Sequence, residues 1–310
     1  KELSGASTEF LIPKKIFQTW ESREVSDGMY NAVQSWIEKN PDWEYHFFDD
    51  DDLREFIKEH FPKKVLMAYD SLNPGAYKAD LWRLCVLYIH GGVYADIKSI
   101  LLMSLNEIIP KDASFIVCKD KSFRYQEFDG YIYNAFICTK PKHPFIKKII
   151  DKLIANVEVE YYGNDQLSPT GPGAFGKGLN IALNREETND VSLGQFNFKN
   201  DTYYIWQADF KKTFLKDCDG KAFLKTSYPG YKDEKRSTIL SKDVINSEYA
   251  FCWFLGKVYK DSKKRVELKS QYYSNNKSYF VLKLVLTLCK NKCWKEAFCT
   301  LIKGFKSKKI

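Results

Sequence analysis

The chain has few histidines, four in 310 residues, and they are scattered along the sequence. Histidine is the usual base of a nucleophilic triad, so this distribution does not indicate a Ser-His-Asp enzyme. His143 precedes Pro144 and Phe145 at the start of a predicted helix. We therefore expect His143 to have a structural role.

Long apolar runs are also missing. The apolar part of the sequence after Ser278 falls well short of the roughly 20 residues that cross a bilayer. Residues 1–10 lack the apolar stretch of a signal peptide, and we interpret them as a tag remnant or a disordered N-terminus. A membrane-spanning protein is therefore not expected.

Eight cysteines are present, but their spacing indicates neither a disulfide framework nor a zinc site. Cys289, Cys293 and Cys299 lie close together, yet at helical spacing and without a nearby histidine. The other five stand singly among apolar residues, as buried thiols do: Cys85, Cys118, Cys138, Cys218 and Cys252. This usage favours a reducing compartment, and we expect a cytoplasmic protein.

The composition predicts a globular protein with a large core, since 44% of the residues are hydrophobic and 16% are aromatic. Lys and Arg outnumber Asp and Glu by 48 to 40, which gives a net charge of +8. This excess favours anionic partners. No nucleic-acid-binding motif accompanies it, so we do not expect nucleic acid among them.

The acidic run 49–52 admits two interpretations, a metal cluster or a helix cap. Leu53, Phe56 and Ile57 follow it at helical spacing. Carboxylates in the first turn of a helix are stabilised by the positive end of its dipole. We therefore favour a capping role for the run.

Residues 74–98 form the most informative segment. Pro74 stands before and Gly91 after a stretch with one apolar helical stripe, formed by Leu81, Leu84, Cys85 and Tyr88. After Gly92 the period changes to two, which predicts a short strand with alternating faces. The segment is predicted to be a buried helix, a glycine turn and a strand.

Polar residues on this segment are predicted to converge. Asp80 and Arg83 are three residues apart and share a helix face. Asp96 and Lys98 share the polar face of the following strand. A tight glycine turn between two such faces indicates a pocket, although Asp80 and Arg83 also fit an ordinary ion pair on a helix surface.

The sequence Gly-Gly-Val-Tyr-Ala-Asp-Ile-Lys, preceded by the helix with Arg83, resembles glycosyltransferase family 32 over residues 11–260. That family includes initiating mannosyltransferases of the yeast type and bacterial capsule and lipopolysaccharide enzymes, and more distantly the glucosylating domains of clostridial toxins. The resemblance implies an α/β fold of the GT-A type in one domain, residues 11–262. We predict a basic amphipathic helical appendage over residues 263–310, which either contacts an anionic membrane surface or packs on the domain.

The resemblance also implies roles for individual residues. Asp80, Arg83 and Asn134 would contact the transferred sugar, with Asp96 as the fourth catalytic residue. Trp20 would stack on the donor base, unless it only fills the core. The remaining positions implied to bind the donor are Tyr94, Lys98, Thr170 and Trp253.

A divalent cation, Mn²⁺ or Mg²⁺, is implied at Asp96 and Glu248, because carboxylates in this family hold such an ion beside the diphosphate. However, Lys98 stands where the family has the second acid of its Asp-x-Asp motif. Two outcomes are open. Either the ammonium takes over part of the role of the metal, or Lys98 turns aside and the metal binds.

From the resemblance we expect a retaining glycosyltransferase. It would use a nucleoside diphosphate sugar, with UDP favoured over GDP, and a glycan or lipid-linked glycan acceptor in surface polysaccharide synthesis. Peripheral contact with the inner face of the membrane would bring it to lipid-linked acceptors. The rival interpretations are an inactive protein that binds sugar nucleotides or acts as a scaffold, and a nucleotidyltransferase.

Overall fold

The computed structural model describes residues 9–120, 126–209, 213–234, 249–254 and 256–260. The strands are β1 Lys15–Thr19, β2 Glu44–Phe48, β3 Gly92–Ala95, β4 Ile100–Leu101, β5 Ala113–Lys119, β6 Ile132–Thr139, β7 Gly194–Phe198, β8 Asp201–Ala208, β9 Phe214–Lys216 and β10 Ala222–Lys225. The helices are α1 Asp27–Lys39, α2 Asp50–His60, α3 Lys63–Ser71, α4 Gly75–His90, α5 Leu105–Ile108, α6 Pro144–Glu158, α7 Pro172–Ala182 and α8 Tyr249–Phe254.

The described strands form one mixed sheet in the order β2-β1-β3-β6-β5-β8-β9-β10-β4, with β7 paired to β8. Strand β1 runs parallel to β2 and β3, whereas β6 is antiparallel to β3 and β5. Since β1 and β3 are parallel, their carboxyl ends lie at one edge, where ligands bind in open α/β sheets. The predicted α/β class is confirmed.

The predicted buried helix in residues 74–98 is observed as α4. Leu81, Leu84 and Cys85 are fully buried, and Trp82 and Val86 are buried as well. The helix is thus enclosed on more sides than its apolar stripe predicted. A polar side chain on such a helix needs partners inside the protein.

The predicted strand is shorter than expected. It ends at Ala95, and Asp96 and Lys98 lie in the following turn, where the Ser99 amide donates to the Asp96 carbonyl. The backbone requires glycine at the start of the strand: Gly92, the first residue of β3, has φ +97°, and a Cβ there would lie 2.6 Å from the carbonyl oxygen of Lys15.

The two faces of the sheet are covered by different clusters. Tyr94 and Ile137 pack with the helices α2, α3, α4 and α6 on one face. Val93 and Phe136 pack with Trp36 on the other. Neighbouring strand residues therefore enter opposite cores, as the alternation of a strand requires.

The acidic run caps α2, as favoured from the sequence. Asp49 accepts from the Asp52 amide and Asp52 from the Asp49 amide, each at 3.1 Å. This is a reciprocal capping box, which satisfies two amides at the helix start. Most of the cysteine prediction is also correct for the described residues, with Cys85, Cys118 and Cys138 buried.

Cys218, also expected to be buried, is exposed. It lies in the tight turn between β9 and β10, where the Gly220 amide donates to the Asp217 carbonyl. A surface turn of this kind does not pack against the core.

The described residues contain no helix that is long and apolar enough to cross a membrane. Residues 261–310, and with them the C-terminal appendage and the domain boundary at residue 262, lie outside the described part of the chain. The appendage and its boundary stay predictions.

His143 has the structural role expected from the sequence, and it has unexpected neighbours. Its Nδ1 accepts from the Phe145 amide at 3.1 Å and caps α6, while Nε2 lies 3.2 Å from Ser114 Oγ and 4.0 Å from Asp201. The structure thus brings together a Ser, a His and an Asp. They do not form a triad, because the serine and the acid face the same ring nitrogen and the imidazole is fully buried.

Burial lowers the pKa of His143 from 6.5 to about 4, with Lys140 acting in the same direction and Asp201 opposing it. The folded state therefore binds this proton more weakly than the unfolded chain does. We expect stability to fall as the pH drops from about 6.5 to about 4, by on the order of 3 kcal/mol from this group.

The variant His143→Asn keeps a capping side chain and removes the titration. Urea denaturation at pH 7, 5.5 and 4.5 should give a smaller loss of stability for the variant than for the wild type. His90, whose pKa burial also lowers, remains in both proteins. Equal pH slopes in the two proteins would contradict this assignment.

Candidate active site

Asp80 lies on α4 and is held by one side chain of its own helix and by two from other parts of the chain. Its Oδ1 accepts from Asn134 Nδ2 at 2.8 Å and lies 3.2 Å from Arg83 Nη2. Its Oδ2 accepts from Thr170 Oγ1 at 2.9 Å. Because Asn134 is on β6 and Thr170 precedes α7, the acid ties the sheet and a loop to the helix.

Arg83, one turn further along α4, links Asp80 to the acid after β3. Its guanidinium lies 4.5 Å from the ring centre of Tyr94, and Nη1 donates to the Asn134 carbonyl at 2.7 Å. The same nitrogen is 3.6 Å from Asp96 Oδ1. A planar guanidinium suits this position, because it stacks on an aromatic ring while it donates in several directions.

Asp96 is held between two cations and a phenol. Tyr94 donates to Oδ1 at 3.0 Å, and Lys98 Nζ donates to Oδ2 at 2.6 Å. The Asp96 carbonyl accepts from Ser99 Oγ at 2.5 Å and from Gln18 Nε2 at 3.4 Å. The turn is thereby anchored to β1.

Burial differs across this cluster. The side chains of Arg83 and Asp80 are 7% and 10% exposed, whereas those of Asp96 and Lys98 are 20% and 26% exposed. The cluster therefore meets solvent at Asp96 and Lys98. A ligand that enters from this side reaches them first.

The electrostatics differ between the two acids. Burial raises the pKa of Asp80, although Arg83 and the hydrogen bonds of Thr170 and Asn134 oppose this. Burial acts in the same direction on Asp96, but Lys98 and Arg83 outweigh it and lower its pKa. Asp96 is the more firmly ionised of the two.

The loop that carries Thr170 is fixed by buried polar contacts. Tyr131 donates to Asp165 at 2.8 Å and lies 3.0 Å from Ser168 Oγ, and Asn156 donates to the Pro169 carbonyl at 2.9 Å. The sequence analysis did not single out these contacts. Their signal is weak, since Asn156 is a lone polar residue in an apolar run of its helix and Asp165 lies in a polar loop.

Trp20 is half-buried directly after β1. It packs against a small cluster that contains Ile97, Tyr228 and Tyr231. Tyr231 also lies beside Lys98, whose Nζ is 5.6 Å from the ring centre. Trp20 therefore packs in the same cluster as Ile97, which lies between Asp96 and Lys98. The role of Trp20 in base stacking stays a prediction.

Trp253 on α8 lies in the helical core. It is 8% exposed, and its indole nitrogen donates to the Tyr162 carbonyl at 2.8 Å. Contacts of α8 with α4, including Tyr249 against Tyr77, place it beside the start of the helix that carries Asp80. The contact of Trp253 with a donor diphosphate stays a prediction.

The described residues do not fit a divalent cation. They contain no group of three or more His, Cys, Asp or Glu side chains that could hold a metal. At Asp96, the position where a cation would bind, Oδ2 already holds the Lys98 ammonium. Glu248, the second predicted ligand, lies outside the described residues. Of the two outcomes left open by the sequence, the one with Lys98 turned aside is not observed.

The comparisons with known proteins agree with the geometry. Residues 26–115 match the family model of the glycosyltransferase sugar-binding region containing a DXD motif. The putative glycosyltransferase HOC1 of Saccharomyces cerevisiae is 23% identical over 257 residues, 77% of this chain and 59% of that protein. The initiation-specific alpha-1,6-mannosyltransferase of Candida albicans is 26% identical over 197 residues, 53% of this chain and 51% of that protein.

Inositol phosphoceramide mannosyltransferase 2 of Schizosaccharomyces pombe is 31% identical over 156 residues, 50% of this chain and 42% of that protein. The chain spans about half the length of these curated relatives. Among solved structures, the PaToxG glycosyltransferase matches with a TM-score of 0.44 and 20% identity, over 56% of this chain and 70% of that one. The predicted resemblance to this group of glycosyltransferases is confirmed.

Arg83→Lys tests the central ion pair. Lysine keeps the charge but loses the planar fork and the stacking on Tyr94, so the carboxylates of the buried Asp80 and of the partly exposed Asp96 lose contacts. We expect the free energy of unfolding to fall by about 3 kcal/mol, measured by urea denaturation at pH 7.

Arg54→Lys is the matched control, because Arg54 makes a two-pronged contact with Asp70, both at 2.9 Å, on the surface. An exposed pair of this kind contributes about 1 kcal/mol or less. Similar losses in the two variants would contradict the importance assigned to Arg83.

Proposed function

We propose that this chain, with a DXD-type sugar-binding region over residues 26–115, transfers a sugar from a nucleoside diphosphate donor to a glycan or lipid-linked glycan. One observation carries the proposal. Asp80, Arg83, Asn134 and Asp96 form one cluster of hydrogen bonds and ion pairs at the carboxyl end of β3, and Lys98 joins it at the side open to solvent. An ordinary surface ion pair on α4 would not be linked to the sheet in this way.

The arrangement suits departure of a diphosphate. When the bond between the anomeric carbon and the phosphate oxygen breaks, negative charge grows on the leaving group. Lys98 supplies positive charge at the side of the cluster that is open to solvent, with the guanidinium of Arg83 behind it. Asp80 and Asn134, deeper in the cluster, would accept and donate hydrogen bonds to hydroxyls of the sugar and so hold it in place.

Retention of configuration is part of the proposal. Asp80 makes a poor nucleophile, because hydrogen bonds from Asn134 and Thr170 and the contact with Arg83 engage both its oxygens. This favours attack by the acceptor on the face from which the diphosphate leaves, without a covalent intermediate on Asp80. The acceptor hydroxyl then gives up its proton to the departing phosphate oxygen as the new glycosidic bond forms.

The donor and acceptor classes rest on the relatives. The names of two of them specify mannosyl transfer, one to inositol phosphoceramide and one in an initiation-specific alpha-1,6 reaction. These names support a hexose donor and a glycan or lipid-linked acceptor. We favour UDP-sugars over GDP-sugars as donors. We further propose that the protein is cytoplasmic, that it acts in the synthesis of a surface polysaccharide, and that residues 263–310 contact the membrane.

A second candidate is an inactive protein that binds sugar nucleotides. The ion pair between Lys98 and Asp96 favours it, because an acid already bound by an ammonium offers less to a catalytic metal ion. Such a protein would bind the donor without cleaving it. Binding and turnover therefore have to be measured separately.

The test is a panel of UDP-, GDP- and CMP-sugars, with release of the nucleoside diphosphate and the shift in Tm measured for each. We expect one donor class to raise the Tm and to be turned over. A Tm shift without turnover in the presence of candidate glycan acceptors would favour the inactive protein. The proposal would be overturned if no donor raised the Tm and no donor were turned over.

Asp80→Asn tests the residue assignment. The amide keeps the size of the side chain but removes the negative charge, and we expect turnover to fall about 100-fold while the protein stays folded. Asp70→Asn is the matched control, since Asp70 is a surface acid paired with Arg54 and should keep full turnover. An Asp80→Asn protein with wild-type turnover would remove Asp80 from the site.

A further inference from the structure

We infer that Lys98 is a built-in counter-charge for the diphosphate of the donor, in the position of a divalent cation, and that donor binding by this chain needs no metal ion. The inference rests on the proposed function and deepens it. Its basis is the contact between the Lys98 ammonium and Asp96. Of the two acids that the resemblance assigns to a metal, Asp96 is the one that lies among the described residues.

The first observation is the occupancy of Asp96. Lys98 Nζ lies 2.6 Å from Oδ2, and Oδ1 accepts from Tyr94 at 3.0 Å with Arg83 at 3.6 Å. A hard cation binds carboxylate oxygens at roughly 2.0–2.6 Å. An ion at Oδ2 would overlap the ammonium, and at Oδ1 it would meet the guanidinium. Both positions also bring like charges together.

The second observation is that Lys98 is held in place. Its ammonium lies 5.6 Å from the ring centre of Tyr231, and its backbone carbonyl accepts from the Tyr228 amide at 2.9 Å. The side chain is 26% exposed. A lysine fixed from two sides and open on a third presents a charge without having to reorganise first.

The third observation is the charge balance. Asp80, Arg83, Asp96 and Lys98 carry two negative and two positive charges, so the cluster is formally neutral. A lysine side chain is a cation at neutral pH, and the contact of its Nζ with Asp96 Oδ2 at 2.6 Å stabilises the charged form. The ammonium has three protons, of which Asp96 accepts one, and phosphate oxygens are suitable acceptors for the others.

A comparison of charges shows why a metal becomes unnecessary. With an acid at position 98, the cluster would carry a net charge of −2 and would repel a diphosphate until a divalent cation joined it. With Lys98 this repulsion is removed within the chain. The same reasoning predicts that Lys98→Asp restores a metal requirement, since two carboxylates would then flank the position of the ammonium.

The experiment is isothermal titration calorimetry with UDP and with GDP, in EDTA and in MnCl₂. For the wild-type chain we expect the same Kd in both conditions, within about twofold. For Lys98→Met, which keeps an unbranched side chain of similar shape and removes the ammonium, we expect binding in EDTA to weaken about 10- to 100-fold, the range for loss of a charge-assisted hydrogen bond. For Lys98→Asp we expect binding only with Mn²⁺.

Lys142→Met is the matched control. Lys142 also lies over a tyrosine ring, that of Tyr88 at 4.6 Å, but it stands near the opposite end of α4 from Asp80. This variant should bind like the wild type. Lys98→Arg, which keeps a cation, should bind in EDTA and serves if Lys98→Met fails to fold.

Each outcome has a distinct meaning. Binding by the wild type only in Mn²⁺ would overturn the inference and leave the proposed function intact. Unchanged binding in EDTA by folded Lys98→Met would also overturn it. If neither nucleotide binds in either condition, and no sugar nucleotide of the panel raises the Tm, the proposed function itself fails.

Discussion

The contact between Arg83 and the two acids, Asp80 and Asp96, is the interaction on which the rest of the site depends. Helix α4 is buried on nearly every side, so its charged residues have to be satisfied within the protein. Arg83 does this by reaching the Asn134 carbonyl and the turn after β3. The rotation of the helix is thereby fixed relative to the sheet, since another rotation would break the contacts of the guanidinium with the Asn134 carbonyl and with Asp96.

The turn after β3 reaches Arg83 because of backbone geometry upstream. Gly91 and Gly92 both have positive φ, and neither has room for a Cβ beside its neighbours Pro141 and Lys15. They let the chain reverse directly from α4 into β3. The strand then pairs with β1 and β6 at once, which places Asp96 beside Ala135 on β6 and beside Gln18 on β1. A longer connection would leave the position of Asp96 less defined.

Whether a contact of the site could be predicted from the sequence depends on how far apart its two residues lie along the chain. The helix, the turn and the pairing of Asp80 with Arg83 are local and followed from spacing. The bond from Asn134 to Asp80 joins residues 54 apart, and that from Thr170 joins residues 90 apart, so neither could be derived from periodicity. Tyr231 escaped notice for the same reason, although it lies over Lys98.

The cluster is not explained by stability alone. The buried Asp80 and Arg83 lose their hydration and the partly exposed Asp96 loses most of it, and apolar residues of similar size are often as stabilising or more so in such positions. The surrounding core supplies ample apolar contacts, with Trp82, Leu84 and Leu87 fully buried on the same helix. The advantage of a charged cluster at this position therefore lies in ligand binding and not in the stability of the fold. Charges that are fixed before a ligand arrives need little reorganisation when it binds, and at the side open to solvent this advantage falls on Lys98 and Asp96.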